Sequence, residues 1–142
     1  MQTRLYWHIH RLAFLFEKKA DEQLRSELGI GFAQYKVIEA INQNALAKQN
    51  TVAKLLDQTE ASISRQITIL QKKGLITVQN VMGNKRAKEL LLTRVGEDIC
   101  RQAEQVLALV ENETFGELSY QEQMLLQESF IKMIDHTKKA GQ

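Results

Sequence analysis

Apolar residues recur at helical spacing along most of this chain and switch to strict alternation once. Leu5, Ile9, Leu12, Ala13, Phe16, Ala20 and Leu24 fall three or four apart. That spacing predicts an amphipathic helix over residues 3–28, stopped by Gly29 as a C-terminal cap. A second helix is predicted over 32–43, with Phe32, Tyr35, Val37, Ile38 and Ile41 inward. A short third helix follows over 50–57, capped by Asn50 and burying Val52, Ala53, Leu55 and Leu56. After a break at Asp57-Gln58, Thr59 is placed to cap a fourth helix over about 60–73. On a 100° wheel its Ile63, Ile67 and Leu70 share one face. The opposite face carries Ala61, Arg65, Thr68 and Lys72, with Ser64 beside it.

The alternation then appears. Ile76 and Val78 alternate with Thr77 and Gln79, and Leu90 and Leu92 alternate with Glu89 and Leu91. Between these two strands lies a polar tip, Gly83-Asn84-Lys85-Arg86, whose first two residues suit a hairpin turn. Thr93 can cap a fifth helix over about 94–114, striped by Ile99, Ala103, Val106, Leu107 and Val110. Ser119 and Glu122 form a capping box opening a last helix to about His136, with Leu126, Phe130, Met133 and Ile134 on one face.

Two short helices across a tight turn, then a hairpin with a basic tip, spell a winged helix-turn-helix. The expected fold is therefore mainly α with a small β-hairpin wing, with helices at both ends. The residues expected to meet DNA are Ala61, Ser62, Ser64, Arg65, Thr68 and Lys72 of the fourth helix, and Asn84, Lys85 and Arg86 of the tip. Small polar groups and an arginine suit base edges and phosphates, and a thin hairpin end can enter a minor groove.

Charge sharpens this reading. The net charge is +2, but residues 59–94 carry +5, residues 1–58 carry +2 and residues 95–142 carry −5. The positive charge thus sits on the reader, as a phosphate-binding surface requires. The chain of 142 residues is long enough for one compact unit with a real core. It contains no proline, in keeping with helices on short connections. No apolar run approaches a membrane span. The N-terminus is interrupted by Arg4, His8, His10 and Arg11 and lacks a small-residue cleavage site, so it does not read as a signal peptide. One cysteine, Cys100, fits a reducing cytoplasm.

With these residues in place, the chain resembles the MarR family of bacterial transcriptional regulators over nearly its whole length. The resemblance runs from Val52-Ala53 and Leu56 through Thr59, Ser62-Ile63-Ser64-Arg65, Ile67 and Leu70 to Lys73-Gly74-Leu75-Ile76. It continues through Lys85-Arg86-Ala87 and Leu92-Thr93-x-x-Gly96, and around Arg86-Ala87-Lys88 it is most similar to SlyA-type members. It implies a single unit over 1–142: a winged DNA-binding part at 32–93, and helical dimerisation parts at 1–28 and 94–142. It further implies a homodimer on a pseudo-palindromic operator, acting as a repressor, with recognition helices in successive major grooves. A small-molecule or oxidant signal often weakens DNA binding in this family. One departure stands out: the acidic residue usual two positions before the wing arginine is Asn84 here, and the wing prolines are absent.

Other chemistry is sparse. There is no glycine-rich phosphate loop, no metal-ligand cluster and no nucleophile beside a base, so neither an enzyme nor a cofactor or metal is expected. His8 and His10, two apart on a helix, point to different sides. Cys100 could serve a thiol-based redox regulator, with Arg101 lowering its pKa, but its context reads as a buried helix position. A winged-helix protein-interaction module is the alternative function; it would need apolar anchors on the outer face of the fourth helix. Finally, Trp7, Arg11, Phe14 and Lys18 share the side of the first helix opposite the Ile9–Phe16 stripe. A dimer partner would cover that side, or it would form with Tyr35 a pocket for a small aromatic carboxylate.

Overall fold

The computed structural model describes residues 4–141, and at Lys85 and Arg86 the backbone alone. The described elements are α1 (Leu5–Leu28), α2 (Phe32–Gln43), β1 (Ala47–Lys48), α3 (Gln49–Leu55), α4 (Glu60–Lys72), β2 (Ile76–Val81), β3 (Asn84–Leu92), α5 (Arg94–Phe115) and α6 (Tyr120–Ala140). This is the winged helix-turn-helix architecture with long helices at either end.

Local chemistry explains most of the boundaries. Gly29, at φ 69°, takes the left-handed conformation that ends α1, and its N–H donates to the Arg25 carbonyl. Thr59, Thr93 and Ser119 cap α4, α5 and α6, each side chain accepting from an N–H in the first turn, of Ser62, Gly96 and Glu122. Each such cap contributes about 1 kcal/mol. α2 is opened differently. The Phe32 N–H donates to Asp21 Oδ1 at 2.9 Å, and the Gly31 N–H donates to Gln34 Oε1 at 3.2 Å.

The core is built from inward faces of every element up to α5. Leu24, Ile30, Ile38, Ile41, Val52, Ile63, Leu70, Ile76, Leu90, Cys100 and Ala103 are all buried together. Each large aliphatic side chain there contributes on the order of 1.5–3 kcal/mol. α1 joins this core only from Phe16 onward: Ala20 and Leu24 are buried, while Leu5, Ile9 and Leu12 of the predicted stripe are exposed. α6 buries no residue at all, and Met133 and Ile134 of its expected inward face are exposed. A helix that only half-buries Leu126 and Phe130 within its own chain has most of its apolar surface still to be covered.

Three expectations need correction. Asn50 does not cap α3. Lys48 pairs with Glu89 in β1, a strand the alternation pattern missed, and its extended backbone makes it the N-cap. The helix therefore starts at Gln49 and ends at Leu55, which is exposed rather than buried. The wing turn is Met82-Gly83, with Gly83 at φ 83°; Asn84 opens β3 and pairs with Val81. α6 runs on to Ala140 because no breaker interrupts it.

The sheet has order β1-β3-β2, antiparallel throughout. Its register shifts between Asn80, which faces Lys88, and Val81, which faces Asn84. Lys85, Arg86 and Ala87 lie in the extra length of β3 that this shift creates, so the basic tip is a bulged strand end rather than a loop.

Candidate nucleic-acid interface

α3 and α4 meet at Asp57, a left-handed residue at φ 53° that turns the chain sharply. The Gln58 N–H donates to the Ala53 carbonyl at 2.9 Å. Ile63, Ile67 and Leu70 then pin one side of α4 to the core. The other side is therefore held outward on a rigid support. Ala61, Ser64, Arg65, Thr68 and Lys72 are all exposed along it. Arg65 and Lys72 have no hydrogen bond or ion pair among the described residues, so both cations are available.

The expected residues do not all behave alike. Ser62 is half-buried, and its hydroxyl donates to Gln58 Oε1 at 3.2 Å, back into the turn. It braces the motif rather than facing outward. The Thr68 hydroxyl donates to the Ser64 carbonyl at 3.0 Å, which leaves its methyl and an acceptor lone pair for contact. Asn84 stands at the start of β3, paired with Val81. The side chains of Lys85 and Arg86 lie outside the described residues.

Residues absent from the expectation complete the surface. Ser64, Thr68 and Gln71 of α4 share a groove of about 310 Å³ with Gln49, Asn80 and Lys88. A second groove joins Lys48, Gln49 and Asn50 to Asn84, Ala87 and Lys88. The Gln49 amide also donates to the Glu60 carbonyl at 3.3 Å, tying the start of α3 to the start of α4. Lys88 thus sits between helix and wing. Its cross-strand pairing with Asn80 was the clue, and it depended on knowing the register. The result is one polar, cationic face made of the N-termini of two helices and one side of the wing, where helix dipoles also favour anions.

The expected ligand cluster does not assemble. Trp7, Arg11, Phe14 and Lys18 are exposed on α1, and Trp7 stacks obliquely on Tyr6 at 5.2 Å between ring centres. Tyr35 is buried on α2, stacked on Phe32, which in turn meets Phe16 edge-on. Phe16 belongs to the other side of α1, so the cleft of about 380 Å³ at Tyr35 opens among Phe16, Phe32, Glu39, Glu104 and Glu111. Cys100 is also buried, and burial, reinforced by the Glu104 and Glu39 carboxylates, pushes its thiol up to about 11. Arg101 opposes this only weakly, which argues against a reactive thiolate.

No family model matches the chain. Curated relatives do. The transcriptional regulator HosA of Escherichia coli is 25% identical over 126 residues, spanning 89% of this chain and 93% of that protein. Among solved structures, a mutant MarR from E. coli complexed with operator DNA superposes with a TM-score of 0.84 at 26% identity, over 91% of this chain and 92% of the other. The S. aureus MepR–DNA complex shares the fold with a TM-score of 0.84 at 22% identity, over 96% and 99% of the two chains. The class that fold and face define is the winged helix-turn-helix transcriptional regulator. Within it, the chain is similar to regulators of the MarR type.

Proposed function

We propose that this chain works as a homodimer that binds a pseudo-palindromic DNA operator through α4 and the wing, and represses transcription from it. The observation that carries this is the continuous face formed by Arg65, Ser64 and Thr68 of α4 with Lys88 of β3. E. coli MarR and S. aureus MepR, complexed with DNA in their solved structures, support the reading. In it, residues 32–93 are the reader, and residues 1–28 and 94–142 pair the subunits. Ala61, Ser64, Arg65, Thr68 and Lys72 meet the major groove, while Asn84, Lys85 and Arg86 meet the flanking backbone or minor groove. Two-fold symmetry sets half-sites about one helical turn apart, on the order of 34 Å. An interaction module fits less well, because among the described residues of α4 Ile69 is the one exposed large apolar side chain, beside Ala61, Ser64, Arg65, Thr68 and Lys72. No described helix is long and apolar enough to cross a membrane. A cytoplasmic, non-enzymatic regulator is the reading that suits the whole. Selection of bound sequences from random duplex DNA tests it: a two-fold symmetric consensus is expected, and enrichment of no sequence would refute it.

A second reading concerns release. The cleft at Phe16, Phe32 and Tyr35 has aromatic walls and three carboxylates, those of Glu39, Glu104 and Glu111, against one ammonium, that of Lys36. This lining favours a small aromatic cation over the aromatic carboxylate expected from Arg11 and Lys18. Such a ligand induces only if it prefers the DNA-free form. Titration of planar cationic and anionic aromatics against the protein–DNA complex separates the two charge types.

A further inference from the structure

Lys73 contributes to the positive charge of residues 59–94, yet its ammonium, though exposed, is bonded within its own chain. Its Nζ donates to the Gly29 carbonyl at 2.8 Å and to Gln34 Oε1 at 3.0 Å. Gln34 is the one buried polar side chain among the described residues, 8% exposed, and its oxygen also accepts the Gly31 N–H. Asp21 of α1 extends the same corner, accepting from the Phe32 N–H and from Arg25. Lys73, the C-terminal cap of α4, is therefore fastened to the junction of α1 and α2.

The same end of α4 is held on its other side. The Thr93 hydroxyl donates to the Gly74 carbonyl at 2.7 Å, and the Thr93 N–H donates to the Leu75 carbonyl at 3.0 Å. α4 thus ends between two clamps, one on α1 and α2, the other on the start of α5. The second rests on the short Thr93 side chain, a backbone bond and the close approach of Gly96 to the Leu75 carbonyl; the first rests on one long flexible side chain.

We infer that Lys73 is a positioning residue: it fixes the angle of α4 against the long terminal helices, and so sets which half-site spacing the protein accepts. This rests on the dimeric DNA-binding reading above. An ammonium held on the Gly29 and Gln34 oxygens is not placed on a phosphate, so Lys73 is expected to leave the salt dependence of binding unchanged. It acts on geometry, because the terminal helices place one reader relative to the other in the dimer.

The test compares wild type, Lys73→Met and Lys73→Arg on duplexes carrying the selected half-site at a series of spacings, each at several salt concentrations. Lys73→Met is expected to weaken binding at the preferred spacing by roughly three- to tenfold, the range for losing such hydrogen bonds. Binding at neighbouring spacings is expected to change less, so the preference flattens, while the slope of log K against log salt stays that of wild type. Lys73→Arg, which can reach the same two oxygens, is expected to restore the preference. A slope reduced by about one unit with an unchanged spacing preference would make Lys73 a phosphate-binding residue and overturn the inference; so would equal affinities for all three proteins. Amide exchange at Gly31, Gly74 and Leu75 is the readout that needs no DNA. Faster exchange in Lys73→Met, recovered in Lys73→Arg, supports the clamp, and identical exchange overturns it. Failure of wild type to select any duplex would instead refute the DNA-binding reading, leaving the exchange result to decide the clamp.

Discussion

The α-carbon of Gly96, in the first turn of α5, rests against the carbonyl oxygen of Leu75, between the end of α4 and the start of β2. A Cβ at Gly96 would fall inside the van der Waals shell of that oxygen, and the obstacle is backbone, not a movable side chain. The same oxygen accepts the Thr93 N–H, so it cannot turn away without losing a hydrogen bond. This close approach is the physical content of the Leu-Thr-x-x-Gly pattern: glycine there lets α5 come up against the reader.

Gly96→Ala is therefore expected to destabilise the protein by about 1–3 kcal/mol, the usual cost of forcing extra volume into a packed site. A fall in the denaturant midpoint with an unchanged m-value checks this. A midpoint equal to wild type would mean that the junction gives way at no cost.

Arg65 and Lys88 are expected to fail in different ways. Arg65 stands in the middle of the exposed side of α4, where a guanine edge is within reach. Arg65→Ala should cost about 1–3 kcal/mol of binding and relax one consensus position. Lys88→Ala, like Lys85→Ala and Arg86→Ala, should weaken binding to most sequences and lower the salt slope by about one unit for each phosphate no longer neutralised. Equal, salt-independent losses from all four would contradict this division of labour.

Much of this face was legible because it depends on local rules. The spacing of Ile63, Ile67 and Leu70 decides which side of α4 is buried, and so decides that Arg65 points away. Thr59, Thr93 and Ser119 announce their helices by cap chemistry alone. What was hidden depends on long-range pairing. Ala47-Lys48 is too short to show alternation and becomes a strand only because β3 lies beside it. The same pairing moves the start of α3 to Gln49, and the register of β2 on β3, with Asn80 opposite Lys88, brings Lys88 into the face. Tyr35 was misplaced for a related reason: the wheel for α1 showed two apolar sides, and only packing against α2 shows that Phe16 meets it while Phe14 does not.

Leu46 adopts φ 61°, a left-handed conformation that disfavours a branched side chain, and it is 46% exposed. Left-handed backbone costs an ordinary residue roughly 1–2 kcal/mol, and asparagine tolerates it better. Leu46→Asn should raise stability by about 0.5–1 kcal/mol, because little packing is lost at so exposed a site. A lower melting temperature in the variant would show that Leu46 is covered in the assembled protein.

Asp21 makes the α1–α2 corner sensitive to acid. The Arg25 guanidinium and then the Phe32 N–H hold its carboxyl below the ordinary carboxylate value. A depressed folded-state pKa means the stabilisation is complete above the unfolded-state value and is lost as pH falls through the folded-state value. Its size is modest, about 0.5–1 kcal/mol, since the group is partly exposed and screened. Asp21→Asn should be less stable than wild type near neutrality, and the two unfolding curves should converge as the solution is acidified below the usual carboxylate range. A difference that persists unchanged into strong acid would assign the effect to side-chain packing instead of charge.

α6 carries apolar surface that its own chain leaves uncovered. Its first half presents Met124 and Leu125 to solvent, its second half Ile131 and Ile134, and α1 presents Leu5, Trp7 and Phe14. Such a set on two long helices exceeds what a single subunit leaves in water. If the terminal helices pair the subunits, a charge placed among these residues must be desolvated on association or block it. Leu125, 65% exposed, packs against little within its own chain, so Leu125→Glu should leave the fold of the single subunit intact. Light scattering is expected to show a shift from dimer towards monomer in the variant. DNA binding should fall with it, because a lone reader loses the second half-site. Circular dichroism should stay that of wild type, apart from fraying of α6. A variant that remains fully dimeric at micromolar concentration would place the subunit interface elsewhere, and would leave the apolar surface of α6 to some other partner.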